Sequence, residues 1–410
     1  MPNHICVLKK SYSGLTNRLD YIIYICLCFY LVIDSITGFL LYSGTGGISA
    51  PYKFLVLLLM ILSISLKNMQ AICFIVFMFS FMFLSFFVHL IVRINWSFGS
   101  ISMPLQLINN QVYFIYFYFL LKSCDNIEKY TSNNFLKMNI CVFLFNIILG
   151  VFGFGFYMYD WAQMGIKGFF YAGNQASVLF FCLYFIVLVR ISNKSNKILC
   201  VYAIALIISY LMMTRVAVLS CAIISCVDYY FRSSKKRKYY LKLFSPVLVI
   251  VLIVLLVFFV PETRFFQFFN ERTEHSLRQG RTLIDALLAS RAMFLIDNYN
   301  EWKIFSSSAV IMFGLGATEF PSGRVEIDLF DTFFHLGIFF TLFALFYYVI
   351  LICLSIKIKN GRLFFFNMLY LSISMTAGHV WYSVMAGLFF AYINAYEIVV
   401  YLNKKSVKPC

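Results

Sequence analysis

The sequence predicts an all-α polytopic integral membrane protein, with about twelve transmembrane helices and one large outer loop, from three observations. Of its 410 residues 62% are apolar and only 12% charged, where a soluble protein carries about 25% charged residues. The apolar runs approach the roughly 20 residues needed to cross a bilayer as a helix and exceed the alternating strands of about 10 residues that build outer-membrane barrels. The basic residues, finally, are unequally shared between alternate connections. That bias also explains the net charge of +16, so no nucleic-acid partner is expected.

Taken in order, runs bounded by charges place spans at 21–42, 52–66, 71–92, 104–121, 135–159, 175–189, 198–213, 216–231, 243–260, 327–356, 363–378 and 382–402. The 21–42 run is too long for the apolar part of a signal peptide and no A-x-A site follows it, so it is expected to be the first permanent span. Within it Asp34 either bonds locally to Ser35 and Thr37 or lines a polar path. His89 and Arg93, four residues apart at the end of the third span, form an outer-edge pair. The 198–213 and 216–231 runs are short, and Met212-Met213-Thr214-Arg215-Val216-Ala217 joins them at the outer boundary. Asp228 and Arg232 read as an exposed i,i+4 ion pair.

With the N-terminus inside, the inner connections hold 22 of the 33 Lys and Arg, against 11 outside, and both termini are cytoplasmic. All 12 cysteines fall in spans or inner segments, as an oxidising outer compartment would select. Cys26 and Cys28 have no His or further Cys nearby, so no metal site is expected there. The chain reads as a single membrane domain, 1–410, whose 261–326 segment is an outer loop containing an amphipathic helix. Leu283, Ile284, Leu287, Leu288, Phe294 and Leu295 recur at helical spacing, and Thr282 with Asp285 resembles a capping box. Every other connection is expected to be short.

The two sides use different cations. Five of the 22 inner basic residues are Arg, but eight of the 11 outer ones are: Arg93, Arg215, Arg264, Arg272, Arg278, Arg281, Arg291 and Arg324. Orientation needs only charge, whereas the planar guanidinium fork suits carboxylate or phosphate. An anionic ligand on the outer side accounts for the set; pairing with the loop's own carboxylates accounts for single members. Arg215 at the membrane boundary needs a partner or a polar cavity, or snorkels to headgroups. Arg281 precedes the Thr282 cap, and Arg291 shares the stripe of Leu287 and Leu288. Acidic residues gather in Glu326-Ile327-Asp328-Leu329-Phe330-Asp331, and Asp328, Asp331 and His335 share one face at i, i+3, i+7. That set suits general-base work or, for Asp328 above all, capping of the helix. His379 sits in the outer hairpin between the last two spans. No G-x-x-x-x-G-K-[ST], G-x-G-x-x-G, H-E-x-x-H or C-x-x-C occurs, which argues against nucleotide-driven transport, nicotinamide chemistry and zinc hydrolysis.

Gly173-Asn174-Gln175-Ala176, Thr214-Arg215-Val216-Ala217, Gly280-Arg281, Gly314-Leu315-Gly316, the 326–331 acidic segment and Leu336-Gly337-Ile338 together resemble, in order and sidedness, the O-antigen polymerase and O-antigen ligase superfamily of bacterial envelope glycosyltransferases. The resemblance covers about residues 170 to 340 and the span count. It implies a GT-C-like enzyme of the bacterial inner membrane with its active face periplasmic. Such an enzyme takes undecaprenyl-diphosphate-linked oligosaccharide, with membrane lipid and a chain-length regulator protein as further partners and neither nucleotide nor metal as cofactor. Arg215 and Arg281, with Arg291, would bind the diphosphate. Asp328 would be the catalytic base, with Glu326, His335 and His379 in reserve. Ligases of the superfamily look to carry a His before the tenth span, where this chain has Glu326 and Asp328, which favours polymerase over ligase. A flippase for lipid-linked oligosaccharide is the alternative of another class.

Overall fold

The computed structural model describes residues 16–92, 99–123, 133–191, 195–233, 291–316 and 325–406. Fourteen α-helices and one two-stranded hairpin lie within them. In chain order they are α1 Thr16–Cys28, α2 Tyr30–Tyr42, α3 Ser49–Lys67, α4 Met69–Val92, α5 Gly99–Lys122 and α6 Asn133–Val151. Strands β1 Phe156–Tyr159 and β2 Met164–Gly168 follow, then α7 Gly173–Arg190, α8 Ser195–Met212 and α9 Arg215–Arg232. The described chain resumes with α10 Arg291–Ile304, α11 Ser308–Phe313, α12 Asp328–Lys357, α13 Gly361–Ala377 and α14 Val384–Ser406.

By length and composition six of these helices can cross a membrane, or seven if α1 and α2, bent by 44°, form one broken span. This is the make-up of a multi-pass membrane protein. Of the twelve expected spans eleven fall on described helices, but α5, α8, α9 and α13 fall short of that test in length or apolarity. The expected 243–260 span lies outside the described residues, as do Thr282 and the Leu283–Leu288 part of the loop helix.

One expected boundary is wrong. The fifth span does not run to Tyr159 but ends at Val151, and residues 152–172 form a long connection built around the β1–β2 hairpin. The strand Phe156–Tyr159 carries no charge and is aromatic like the helix before it, so a search for uncharged runs passes through the break. Glycines mark it: Gly150 packs against Ile166, and Gly153 and Gly155 take positive φ.

Burial sorts the helices. Most of the apolar windows of α14 (72%) and α7 (67%) is buried, against 22% for α4, so α14 and α7 are central and α4 presents its apolar surface outward. Stacked rings fill the centre: Tyr348 lies 5.5 Å from Trp381, and Tyr370 lies 3.8 Å from Phe390. Asparagines tie helices together where an apolar core supplies no directional contact. Asn110 Nδ2 donates to the Trp381 carbonyl at 2.8 Å, Asn139 bridges the α1 and α2 backbones, and Asn367 donates to Asn394.

Long helices joined by short described connections alternate in direction, α1 and α2 counting as one, and the ion pairs fall at two ends. At the end where α1 begins and α14 finishes, Lys67 pairs with Asp20 at 2.6 Å and Arg232 with Asp228 at 2.6 Å. At the other end, called here the loop end, Lys53 pairs with Asp34 at 2.7 Å and Arg291 with Glu326 at 3.0 Å. Two expectations are corrected by these pairs. Asp34 binds Lys53 and Ser49 of the next helix rather than Ser35 or Thr37. The Asp228–Arg232 pair is buried, not exposed, and is joined by the Tyr202 hydroxyl and, at 3.4 Å, by Arg362.

Candidate functional site at the loop end

The loop end is organised by a break in α12. Gly337 has φ 77°, and a Cβ there would stand 2.3 Å from the Met312 carbonyl oxygen. Only glycine accepts both demands. The break frees backbone carbonyls, and the turn at Gly314-Leu315-Gly316 takes them up. The Leu315 N–H donates to the Phe334 carbonyl and the Gly316 N–H to that of His335, each at 2.9 Å. The imidazole of His335 completes the joint, because its Nδ1–H donates to the Gly316 carbonyl at 2.8 Å. His335 is buried and its ring is committed to backbone.

The two acidic residues of the first turn of α12 do comparable work. Asp331 accepts the Val325 N–H at 2.9 Å on one oxygen and the Glu326 N–H at 3.1 Å on the other, folding the approach to the helix. Asp328, completely buried, accepts the N–H groups of both Val380 and Trp381 on Oδ2, at 2.8 Å each, which pins the α13–α14 turn to the start of α12. There the two backbones touch: a Cβ on Gly378 would stand 2.3 Å from the Glu326 carbonyl oxygen. Thr332 adds a bond of 2.7 Å to the Tyr382 hydroxyl. Asp328, Asp331 and His335 thus share a helix face, as expected, but reach three different stretches of backbone rather than one reacting centre.

The groups left at the surface are others. The Glu326 side chain is 44% exposed and its Oε2 lies 3.0 Å from Nη2 of Arg291, whose Nη1 donates to the Thr376 carbonyl. Arg291 begins α10 and joins the loop to the end of α13. His379, half-buried, takes a left-handed backbone with φ 61° next to Gly378.

Arg215 is the first residue of α9, whose N-terminus is capped by Thr214: its Oγ1 accepts the Ala217 N–H at 3.1 Å. The Ser177 hydroxyl, 2.8 Å from that of Thr214, ties this start to the start of α7. Helices α9 and α13 pack against each other and run in opposite directions, with Arg362 facing Asp228. A walk of 13 residues takes α9 from Asp228 to Arg215 and α13 from Arg362 to Met375, a climb of about 20 Å along each. Arg215 therefore lies toward the same end of the helix pair as Met375 and Thr376, where Arg291 is bonded. Two arginines from distant sequence positions thus lie at the loop end. Arg281, the third expected diphosphate ligand, lies outside the described residues.

Sequence reasoning gave no role to the hairpin. Gly165 packs against the Met212 carbonyl and Gly173 against Met158, so the hairpin packs on the start of α7 and the end of α8. It carries Lys167, which is 5% exposed and whose Nζ is 5.6 Å from the centre of the Phe156 ring. Burial pushes its ammonium below the usual lysine range, and Asp160 opposes that shift. His89, expected to pair with Arg93, instead donates from Nε2 to the Phe313 carbonyl at 2.6 Å, and Arg93 lies outside the described residues.

At the loop end, then, Arg291 pairs with the partly exposed Glu326, and Arg215 and His379 lie at the same end, groups whose chemistry suits holding an oxyanion and accepting a proton. No family model, characterised protein or solved structure matches the chain.

Proposed function

We propose that the protein is a glycosyltransferase that polymerises undecaprenyl-diphosphate-linked O-antigen repeat units at the periplasmic face of the bacterial inner membrane. The observation that carries this reading is the ion pair of Arg291 with the partly exposed Glu326 at the loop end, the end at which α9 begins with Arg215. A lipid-linked diphosphate is a good leaving group once preorganised cations meet its developing charge. Arg215 and Arg291, with Arg281 from the loop, would supply them. The anomeric carbon–oxygen bond breaks with its electron pair going to the diphosphate. The acceptor hydroxyl oxygen forms the new bond, and its proton passes to a carboxylate or imidazole.

For that last role Glu326 and His379 are better placed than Asp328 and His335, whose side chains already hold backbone. Asp328 then acts as a positioning residue that fixes the turn bearing His379. A chain-length regulator would meet the enzyme at the same membrane.

The missing nucleotide and metal motifs give the first test. Purified protein supplied with lipid-diphosphate oligosaccharide is expected to make polymer in EDTA and without ATP. Loss of product in chelator, restored by magnesium, would overturn the metal-independent mechanism and point to Glu326, Asp328 and Asp331 as ligands.

The flippase reading draws support from the broken α12, since interrupted helices are common in transporters. Lipopolysaccharide from a deletion strain separates the readings. Core lipid bearing a single repeat is expected for a polymerase; complete loss of O-units means a ligase or flippase.

A further inference from the structure

At the end opposite these residues, α7, α9, α13 and α14 frame a cavity of about 420 Å³. Its rim is Lys359, Asn360, Arg362 and Glu397, and its floor is the apolar Phe185, Val189 and Phe231. The carboxylates here are already engaged: Glu397 accepts from Asn360 Nδ2 at 2.7 Å, and Asp228 holds Arg232 at 2.6 Å and the Tyr202 hydroxyl at 2.8 Å. Arg362 reaches Asp228 only at 3.4 Å. Lys359 stands exposed on the α12–α13 turn, in left-handed backbone with φ 54°. Arg190, beside the same Glu397, adds a third cation. Positive charge therefore exceeds negative charge around a hollow that is polar at its mouth and apolar beneath.

The hollow lies toward the end at which α7 and α9 finish and α13 begins, and the ends of membrane-crossing helices are where lipid headgroups meet acyl chains. A soluble anion would use the cations but leave the partly exposed Val189 and Phe231 in water, which is unfavourable for apolar surface. A phospholipid satisfies both parts, and basic hollows between helices at the inner face of a membrane take acidic headgroups. We propose that this cavity binds one molecule of an acidic phospholipid with a glycerol headgroup. Its phosphate lies against Lys359 and Arg362, its headgroup hydroxyls donate to Glu397, and the start of one acyl chain lies on Phe185, Val189 and Phe231. This assignment does not depend on the chemistry at the loop end.

Native mass spectrometry of the full-length protein tests it, with phosphatidylglycerol and phosphatidylcholine of identical acyl chains titrated in parallel. The wild type is expected to retain phosphatidylglycerol at least about tenfold better. Lys359→Glu reverses one exposed charge, a change of two units, and is expected to weaken retention about thirtyfold. Val189→Trp, which fills the floor, is expected to abolish retention while leaving the size-exclusion profile unchanged. Equal retention of the two lipids, undiminished phosphatidylglycerol on either variant, or its displacement by millimolar inorganic phosphate would overturn the proposal.

Discussion

The carboxylates near the start of α12 look alike in sequence and differ entirely in their surroundings. Asp328 is sealed in with two backbone amides on one oxygen, whereas Glu326 faces outward onto Arg291. Substitutions should separate them. Asp328→Asn keeps an oxygen acceptor and is expected to accumulate almost normally. Asp328→Ala strands two buried N–H groups, each costing about 1–3 kcal/mol, and is expected to lose most folded protein by fluorescence-detected size exclusion. Glu326→Gln should instead fold normally and lose polymerisation by roughly 10² to 10⁴-fold if it is the general base; full O-antigen ladders from it would return the role to His379 or Asp328. The arginines allow a similar separation, because Lys keeps the charge without the fork. Arg215→Lys and Arg281→Lys are each expected to lose most activity while inserting normally. Impairing a desolvated charge contact costs about 2 to 5 kcal/mol, a slowing of roughly 30-fold to several thousand-fold. Arg272, nominated from sequence as a surface pair member worth about 0 to 1 kcal/mol, should tolerate Lys or Ala. Full ladders from both Lys variants would remove the diphosphate-clamp assignment.

Among the elements, α12 shows how a break can be built into a span. The Gly337 break pairs with the 314–316 turn, and both sides need glycine, since Cβ atoms at Gly314 and Gly337 would each strike the other segment's backbone. Gly337→Ala therefore combines a positive-φ, extended-ψ conformation essentially reserved for glycine, costing of order 1–3 kcal/mol, with a backbone clash. A melting temperature in detergent lower by several degrees is expected, together with weaker protection of the Leu315 and Gly316 amides from hydrogen exchange. Unchanged protection would mean that the turn does not depend on the break. The positions of most helices were legible in the sequence because apolar length between charges is nearly sufficient information in a membrane protein. The hairpin was not, because an uncharged aromatic strand does not interrupt a search for uncharged runs; the glycines at 150, 153 and 155 were the available signal. The partners of Asp328, Asp331 and His335 were not legible either, since all three bind main-chain groups, which no residue pattern announces.

For the whole molecule the central fact is its two-ended charge pattern. The Asp20–Lys67 and Asp228–Arg232–Arg362 contacts gather at the end where α14 finishes, and Asp34–Lys53 and Arg291–Glu326 at the loop end. The structure fixes which residues share an end, and the Lys and Arg excess predicts which end faces the cytoplasm. The assignment of the two ends to compartments is a prediction that reporter fusions test. Asn300 lies on α10, in the same helix as Arg291, and Lys405 lies at the far end of α14. Reporter fusions after Asn300 should therefore behave as periplasmic and those after Lys405 as cytoplasmic. By the same charge rule, fusions after Asn270 and Ser234, which lie outside the described residues, should be periplasmic and cytoplasmic respectively. Asn300 and Lys405 on the same side would contradict the alternation of the helices. Opposite sides with the reverse assignment would keep the fold and move Arg215, Arg291 and Glu326 to the cytoplasm, where a periplasmic polymerase has no substrate to join.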